Sequence, residues 1–288
     1  MIHHKTIAII TSDLEYFNTS ICVGLNSEFS KNGYNTSIHL THENENNEKE
    51  YVIKCIDNPN ISGMIIFSCM NSAAFYYEVL KTTNKICVFV DRVIPYLSEC
   101  NFVSSDNYGG AKKISELLAQ KGAKNIIYLS MLKNKNISTT EDRINGFRDG
   151  HAPFCDVNCF RKEIEYSDNI NGIKSILEEW ETTHPPPDAI FAMNHLIMNA
   201  LIQLTKQNKK WREMLHHTIF SCFDNVPYFD WIEKPIISVE QPIEQIVYYT
   251  SHIMLRRINN PNHFSTHANI ILPVKIIDRT IKSSPLAW

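Results

Sequence analysis

Glycine is scarce in this sequence. Nine glycines occur in 288 residues, and none stands in a G-x-G-x-x-G or GK[ST] pattern. A loop that cradles phosphate needs its glycines ahead of a helix, so a nucleotide-binding fingerprint is excluded. There is no run of 18 or more apolar residues, which excludes a membrane-spanning helix. The opening MIHHKTIAII enters a strand-like run at once, without the charged start, long apolar stretch and small-residue cleavage site of a secretory signal. Basic charge is not concentrated: 28 Lys and Arg face 31 Asp and Glu, for a formal net charge of −3. That balance argues against a nucleic-acid surface on this chain, which would need a dense cationic face. The pairs Lys112-Lys113, Lys209-Lys210 and Arg256-Arg257 are isolated and read as solvated helix faces.

Cysteine is present, at positions 22, 55, 69, 87, 100, 155, 159 and 222. Most of these sit inside apolar patterns, as buried free thiols of a reducing, cytoplasmic setting would. His151, Cys155 and Cys159 are spaced too widely for the tight C-x-x-C of a structural zinc site and lack a clear fourth ligand, so they read as surface-loop residues. There is also no G-x-S-x-G elbow, no H-E-x-x-H and no cofactor fingerprint. Asp91, Asp224 and His195 could serve as acid and base, but no enzyme activity and no cofactor are expected.

What the sequence does contain is alternation. Short β-branched runs at Ile7–Thr11, Thr36–Leu40, Gly63–Phe67, Ile86–Val90, Asn125–Leu129, Asp188–Ala192 and Thr218–Cys222 are separated by helical patterns near 18–32, 47–57, 72–82, 108–121, 170–182 and 194–207. Most of the runs are continuously apolar, as strands buried on both faces of a parallel sheet should be. Further runs at Asn101–Ser104, Ile236–Val239 and Ile270–Ile276 make too many strands for one small sheet, so two doubly wound α/β lobes are expected. The acidic, Asn-rich ENENNEKE (43–50) reads as a solvated helix start. Gly109-Gly110 falls within the first turn of a helix, behind Asp106 as its cap, and reads as a close packing point.

In open α/β folds, ligands bind beyond the carboxyl ends of the strands. Those ends carry Asp13, Tyr16 to Asn18, Asp91-Arg92, Asn194-His195 and Asp224-Asn225. Carboxylates and amides suit vicinal hydroxyls, and an aromatic ring suits the apolar face of a sugar. Any single Asp after a strand is more often a turn former or helix cap than a ligand contact, so the constellation carries the reading.

At these residues a resemblance is visible. KTIAIITSDLEYFNTSICVGLNSEFSKNGYNTSIHL, then ISGMIIFS, ICVFVDR, VSSDNYGGAKKISELLAQKGAKNIIYLS, EDRINGFRDG, PDAIFAMNHLIMNAL, FSCFDNVPYF, SVEQPIEQIVYYTSHIMLRRI and ILPVKIIDRTI follow one another as in the lactose/galactose-repressor family of bacterial transcription regulators. The sequence resembles the effector-binding core of that family over nearly its whole length. The resemblance implies a periplasmic-binding-protein-like fold of type I, with two parallel-sheet lobes joined by three crossovers. Residues 5–105 with 242–271 would form the N-terminal lobe, and 106–241 with 272–288 the C-terminal lobe. It further implies a homodimer with a small effector, usually a sugar, in the interlobe cleft. Operator DNA would be read only through a helix-turn-helix headpiece. Met1 to His4 alone precede the first strand, so the expectation is a core without its headpiece. A stand-alone or transport-associated binding protein, or a regulator sensing a purine or a phosphosugar, is the alternative.

Matched by position, Asp91, Arg143, Asn194 and Asp224 are the effector contacts the resemblance implies. Tyr16, Phe17 and Asn18 stand where the family reads Asn-Pro-Phe-Phe, in a segment one residue shorter. Trp231 and Gln241 are lesser candidates for the pocket wall. His195 and Cys222 depart from the Asp and Gly usual at those places. A neutral sugar is favoured over a phosphosugar, because two carboxylates in a desolvated cleft repel anions.

Overall fold

Ile7 and Ile9 pack into one apolar cluster, while Ala8 and Ile10 pack into another. Alternate side chains of one strand thus feed cores on both faces of a sheet, which is why the run is apolar at every position. A computed structural model of the chain describes residues 5–131, 137–165, 168–260 and 267–281. It divides into two compact units, with boundaries at Asp106/Asn107, Gln241/Pro242 and Pro273/Val274, and a short segment ending at Thr139 grouped with the first.

Unit 1 contains β1 (Thr6–Thr11), α1 (Tyr16–Lys31), β2 (Asn35–Leu40), α2 (Glu45–Asp57), β3 (Ile61–Ile66), α3 (Ala74–Thr82), β4 (Ile86–Val90) and β5 (Asn101–Ser105), and later in the chain α9 (Ile243–Asn259) and β11 (Asn269–Leu272). Its six strands run in the order β11-β5-β4-β3-β1-β2, all parallel. Ile21, Leu25 and Phe29 of α1 and Ile246 and Met254 of α9 cover one face. Val52, Cys55 and Tyr76 from α2 and α3 cover the other. Each such fully buried side chain contributes about 1.5–3 kcal/mol.

Unit 2 contains α4 (Asn107–Gln120), β6 (Asn125–Met131), α5 (Ser138–His151), β7 (Asn158–Ile164), α6 (Asn169–Glu181), β8 (Ala189–Ala192), α7 (His195–Gln207), α8 (Lys209–Met214), β9 (Ile219–Phe223), a short 3-10 helix Pro227–Trp231, β10 (Ile236–Glu240) and β12 (Lys275–Asp278). The sheet order is β12-β10-β9-β8-β6-β7. Phe147 stacks on Phe191 with ring centroids 4.6 Å apart and meets Tyr128 edge-on.

Two expectations need correction. Ile270–Ile276 is not one strand: Pro273, which cannot donate to a ladder, separates β11 in unit 1 from β12 in unit 2. β12 itself runs antiparallel to β10, at the edge of an otherwise parallel sheet. In addition, Cys159 lies in β7, an edge strand whose polar alternation hid it, rather than in a surface loop. Its thiol is pushed up to about 12 by burial.

The glycine pair has a packing role. A methyl at Gly110 would sit within about 3 Å of Val274, Phe223 and Val239, so the start of α4 lies hard against the sheet. On α5, a methyl at Gly146 would fall 2.1 Å from the Tyr108 carbonyl oxygen. Only glycine permits α4 and α5 to approach this closely.

Candidate functional site

Asp224 follows β9, the strand flanked by β10 and β8, so its neighbours come from the ends of those two strands. Its backbone φ is 142°, a region that L-residues seldom adopt. The conformation is held from behind. Asn225 donates from Nδ2 to Glu240 Oε2 at 2.9 Å, while its Oδ1 accepts from Ser238 Oγ (2.9 Å) and Arg279 Nη2 (2.8 Å). Arg279 also reaches Asp230 Oδ1 at 2.7 Å, pinning the loop that runs into the 3-10 helix.

The Asp224 carboxylate gathers three donors. Oδ2 accepts from the backbone amide of His195 at 3.1 Å and from its ring Nδ1 at 3.0 Å. Oδ1 accepts from Gln241 Nε2 at 2.7 Å. His195 is the first residue of α7, so the carboxylate also meets the positive end of that helix. Burial alone would raise the acid's pKa, but the His195 hydrogen bond, the charges of His195 and Arg143 and the Gln241 bond more than offset it and hold it below the ordinary range. Cys222, completely buried on the same strand, is driven well above the ordinary thiol pKa by burial first and by the Asp224 charge second.

Arg143, on α5, is buried beside this group. Nε donates to Asn107 Oδ1 at 2.8 Å, Nη1 donates to the Met193 carbonyl at 2.9 Å, and the guanidinium carbon lies 3.8 Å from the Phe223 ring centroid. Asn194 caps α7, its side chain accepting from Ile197 N at 3.1 Å. The structure therefore brings Arg143, Asn194, Asp224 and Gln241 together with His195 at the carboxyl ends of β8, β9 and β10. It does not bring Trp231 into their hydrogen-bonded group: that residue ends the 3-10 helix and is 87% exposed.

In unit 1, Tyr16 opens α1, Phe17 packs against the apolar cluster, and Asn18 is buried. Asn18 Nδ2 donates to Asp13 Oδ1 at 2.9 Å, and Asp13 Oδ1 also accepts from the Glu15 amide at 2.9 Å. These residues fix the β1–α1 turn. Asp91 follows β4 with φ 71°, its carbonyl accepting from Ser104 Oγ at 2.8 Å.

The acidic stretch 43–50 is not simply solvated. Glu48 is completely buried and accepts from Ser68 Oγ (2.5 Å), the Cys69 amide (2.6 Å) and Tyr76 Oη (2.5 Å). Glu43 pairs with Arg92. All four partners lie far along the chain, 20 to 49 residues away, and no local pattern announces them. A helical position facing inward, i and i+4 with buried Val52, was the available signal for Glu48. Among the described residues, no group of three or more His, Cys, Asp or Glu is arranged to hold a metal ion, and no helix is long and apolar enough to cross a membrane.

Two parallel-sheet α/β units with polar groups gathered at strand ends define a periplasmic-binding-protein-like domain. Residues 3–280 match the family described as periplasmic binding proteins and sugar binding domain of LacI family, and the chain belongs to it. It is 26% identical over 280 residues to the sucrose operon repressor of Streptococcus mutans, covering 95% of this chain and 80% of that protein. It is 20% identical over 267 residues to the catabolite repressor/activator of Escherichia coli, covering 89% of this chain and 75% of that one. The crystal structure of the Cra transcriptional dual regulator from Pseudomonas putida, in complex with fructose 1-phosphate, shares the fold at a TM-score of 0.82 and 14% identity, over 95% of this chain and 98% of that one. These relatives are regulators of transcription, and the chain is a binding domain of their family rather than an enzyme.

Proposed function

We propose that this chain is the effector-sensing and dimerisation core of a sugar-responsive bacterial transcription regulator, acting in the cytoplasm as a homodimer, most simply as a repressor. The carrying observation is the buried group at the crest of unit 2. One ionised carboxylate, Asp224, is fixed by His195 and Gln241 beside the Arg143 guanidinium. Such a set offers both acceptors and donors to hydroxyls, with an aromatic ring, Phe223, beneath the arginine. In this reading Arg143, Asn194, Asp224 and Gln241 are the effector contacts of unit 2. Asp91 and the Tyr16, Phe17 and Asn18 segment are those of unit 1, and Trp231 is a wall residue. The named repressors of sugar operons among its relatives support a carbohydrate as the effector.

An effector changes the regulator's affinity for operator DNA only if it binds two conformations unequally. A coupling of about 1–3 kcal/mol is usual for such systems. Calorimetry of the purified chain against neutral mono- and disaccharides, phosphorylated sugars and purines tests the proposal. Saturable binding of at least one sugar, weakened in Asp224→Asn, is expected. Binding of a purine alone, or of none of the panel, would count against it.

A further inference from the structure

Arg92 and Glu43 stand at opposite sides of the crest of unit 1. Arg92 follows β4 and Glu43 follows β2, with β3 and β1 between them in the sheet. Three strand spacings amount to about 14 Å. The ion pair therefore stretches across the carboxyl ends of two central strands. It is bidentate: Nη1 donates to Oε2 at 2.8 Å and Nη2 to Oε1 at 2.7 Å. Arg92 is 15% exposed and Glu43 37%.

Two further carboxylates attend the same guanidinium. Asp91 Oδ2 lies 3.9 Å from Nε, and Asp13, beyond β1, adds its charge. Burial disfavours the charge on Arg92, but the hydrogen bonds to Glu43 and the three negative charges more than offset that and raise its pKa. Glu43 is also set in place by its backbone. His42 and Glu43 take φ of 54° and 57°, in the left-handed region, and the His42 amide donates to the Ser12 carbonyl at 3.0 Å. Asn44 then caps α2, accepting from the amides of Asn46 (2.8 Å) and Asn47 (3.2 Å). The carboxylate is thus delivered by a defined turn between β2 and α2.

A guanidinium fork is the side chain best shaped to grip a phosphate or carboxylate with two parallel hydrogen bonds. Here it lies where ligands of open α/β sheets bind, and its fork is already filled from within the chain. We infer that Glu43 is a specificity-determining residue: it occupies Arg92 in place of a ligand's anionic group and restricts the crest of unit 1 to uncharged, unphosphorylated ligands. This rests on the reading of that crest as an effector-contacting surface. With Glu43, Asp91 and Asp13 set against one arginine, an incoming anion meets net negative charge and must also displace a bidentate partner.

The test compares wild type, Glu43→Gln and Glu43→Gln/Arg92→Gln by calorimetry, with inorganic phosphate and with a hexose and its phosphate ester as probes. Glu43→Gln should bind phosphate about tenfold or more tightly than wild type, the equivalent of one charge-assisted hydrogen bond, and the second substitution should abolish the gain. Wild type binding phosphate as tightly as Glu43→Gln, or a gain that survives loss of Arg92, would overturn the inference. Should Glu43→Gln not fold, Glu43→Asp takes its place. Its shorter side chain cannot span the same gap to both nitrogens, and a smaller gain in the same direction is expected, with no gain overturning the proposal. The phosphate arm stands apart from the sugar reading. A wild type that binds a neutral sugar while neither variant gains phosphate sinks this inference alone. A phosphate gain that depends on Arg92, in a protein that binds no sugar, sinks the sugar reading alone.

Discussion

Asp224 and His195 are joined twice through a single oxygen: Oδ2 accepts from the His195 backbone amide at 3.1 Å and from its ring Nδ1 at 3.0 Å. One carboxylate thereby fixes the start of a helix and the orientation of an imidazole. Asp224→Asn keeps the shape but supplies an acceptor without charge. We predict that effector affinity falls about 10- to 100-fold, corresponding to about 1.5–3 kcal/mol for hydrogen bonds to a charged group, as read by calorimetry.

The same carboxylate sets an acid limb. Its folded-state pKa lies below its unfolded value, which for Asp is about 3.9. The unfolded chain therefore takes up the proton more readily, and stability rises with pH through this window. The contribution is complete above the unfolded value and is lost as pH falls through the depressed folded value. Denaturant melts at descending pH should show a shallower acid loss in Asp224→Asn than in wild type. Parallel curves would contradict the assignment.

Arg143 combines two hydrogen bonds and a ring contact, all buried. Arg143→Ala removes the donor to the Met193 carbonyl and opens a cavity beside Phe223. We expect a loss of about 2–4 kcal/mol of stability from the stranded acceptor and the lost packing, with Arg143→Lys losing less. Urea unfolding with an unchanged m-value checks it.

Glu48 is the counterpart in unit 1. Glu48→Ala strands three donors, from Ser68, Cys69 and Tyr76, and should cost about 3 kcal/mol or more. Glu48→Gln retains one good acceptor and should cost clearly less. Equal unfolding midpoints for the two variants would show that burial rather than hydrogen bonding dominates there.

Gly146→Ala would bring a methyl within 2.1 Å of the Tyr108 carbonyl, forcing α4 and α5 apart. A cost of about 1–3 kcal/mol is expected from overpacking. Gly33→Ala is the comparison, since nothing lies within 4 Å and only its φ of +80° opposes the methyl. It should cost roughly 1 kcal/mol.

The architecture was legible because buried parallel strands leave continuous apolar runs, such as Ile7–Thr11 and Ile86–Val90. What escaped was polar or nonlocal. β7 reads NCFRKEI and sits at a sheet edge, so its polarity resembled a loop. β11 and β12 share one apolar stretch, and only Pro273 betrays the break. Strand-end position was enough to expect Asp224 and Asn194 near one another at the ends of β9 and β8, but not the frame behind them. Glu240, Ser238 and Arg279 reach Asn225 from 13 to 54 residues away, a closure that only the folded sheet supplies.

The most direct test is side-chain NMR of the chain titrated with a sugar that calorimetry identifies as a ligand. The account predicts that the His195 ring and Gln241 side-chain amide resonances shift saturably, with the dissociation constant measured by calorimetry. A sugar that binds while these resonances stay still would contradict it.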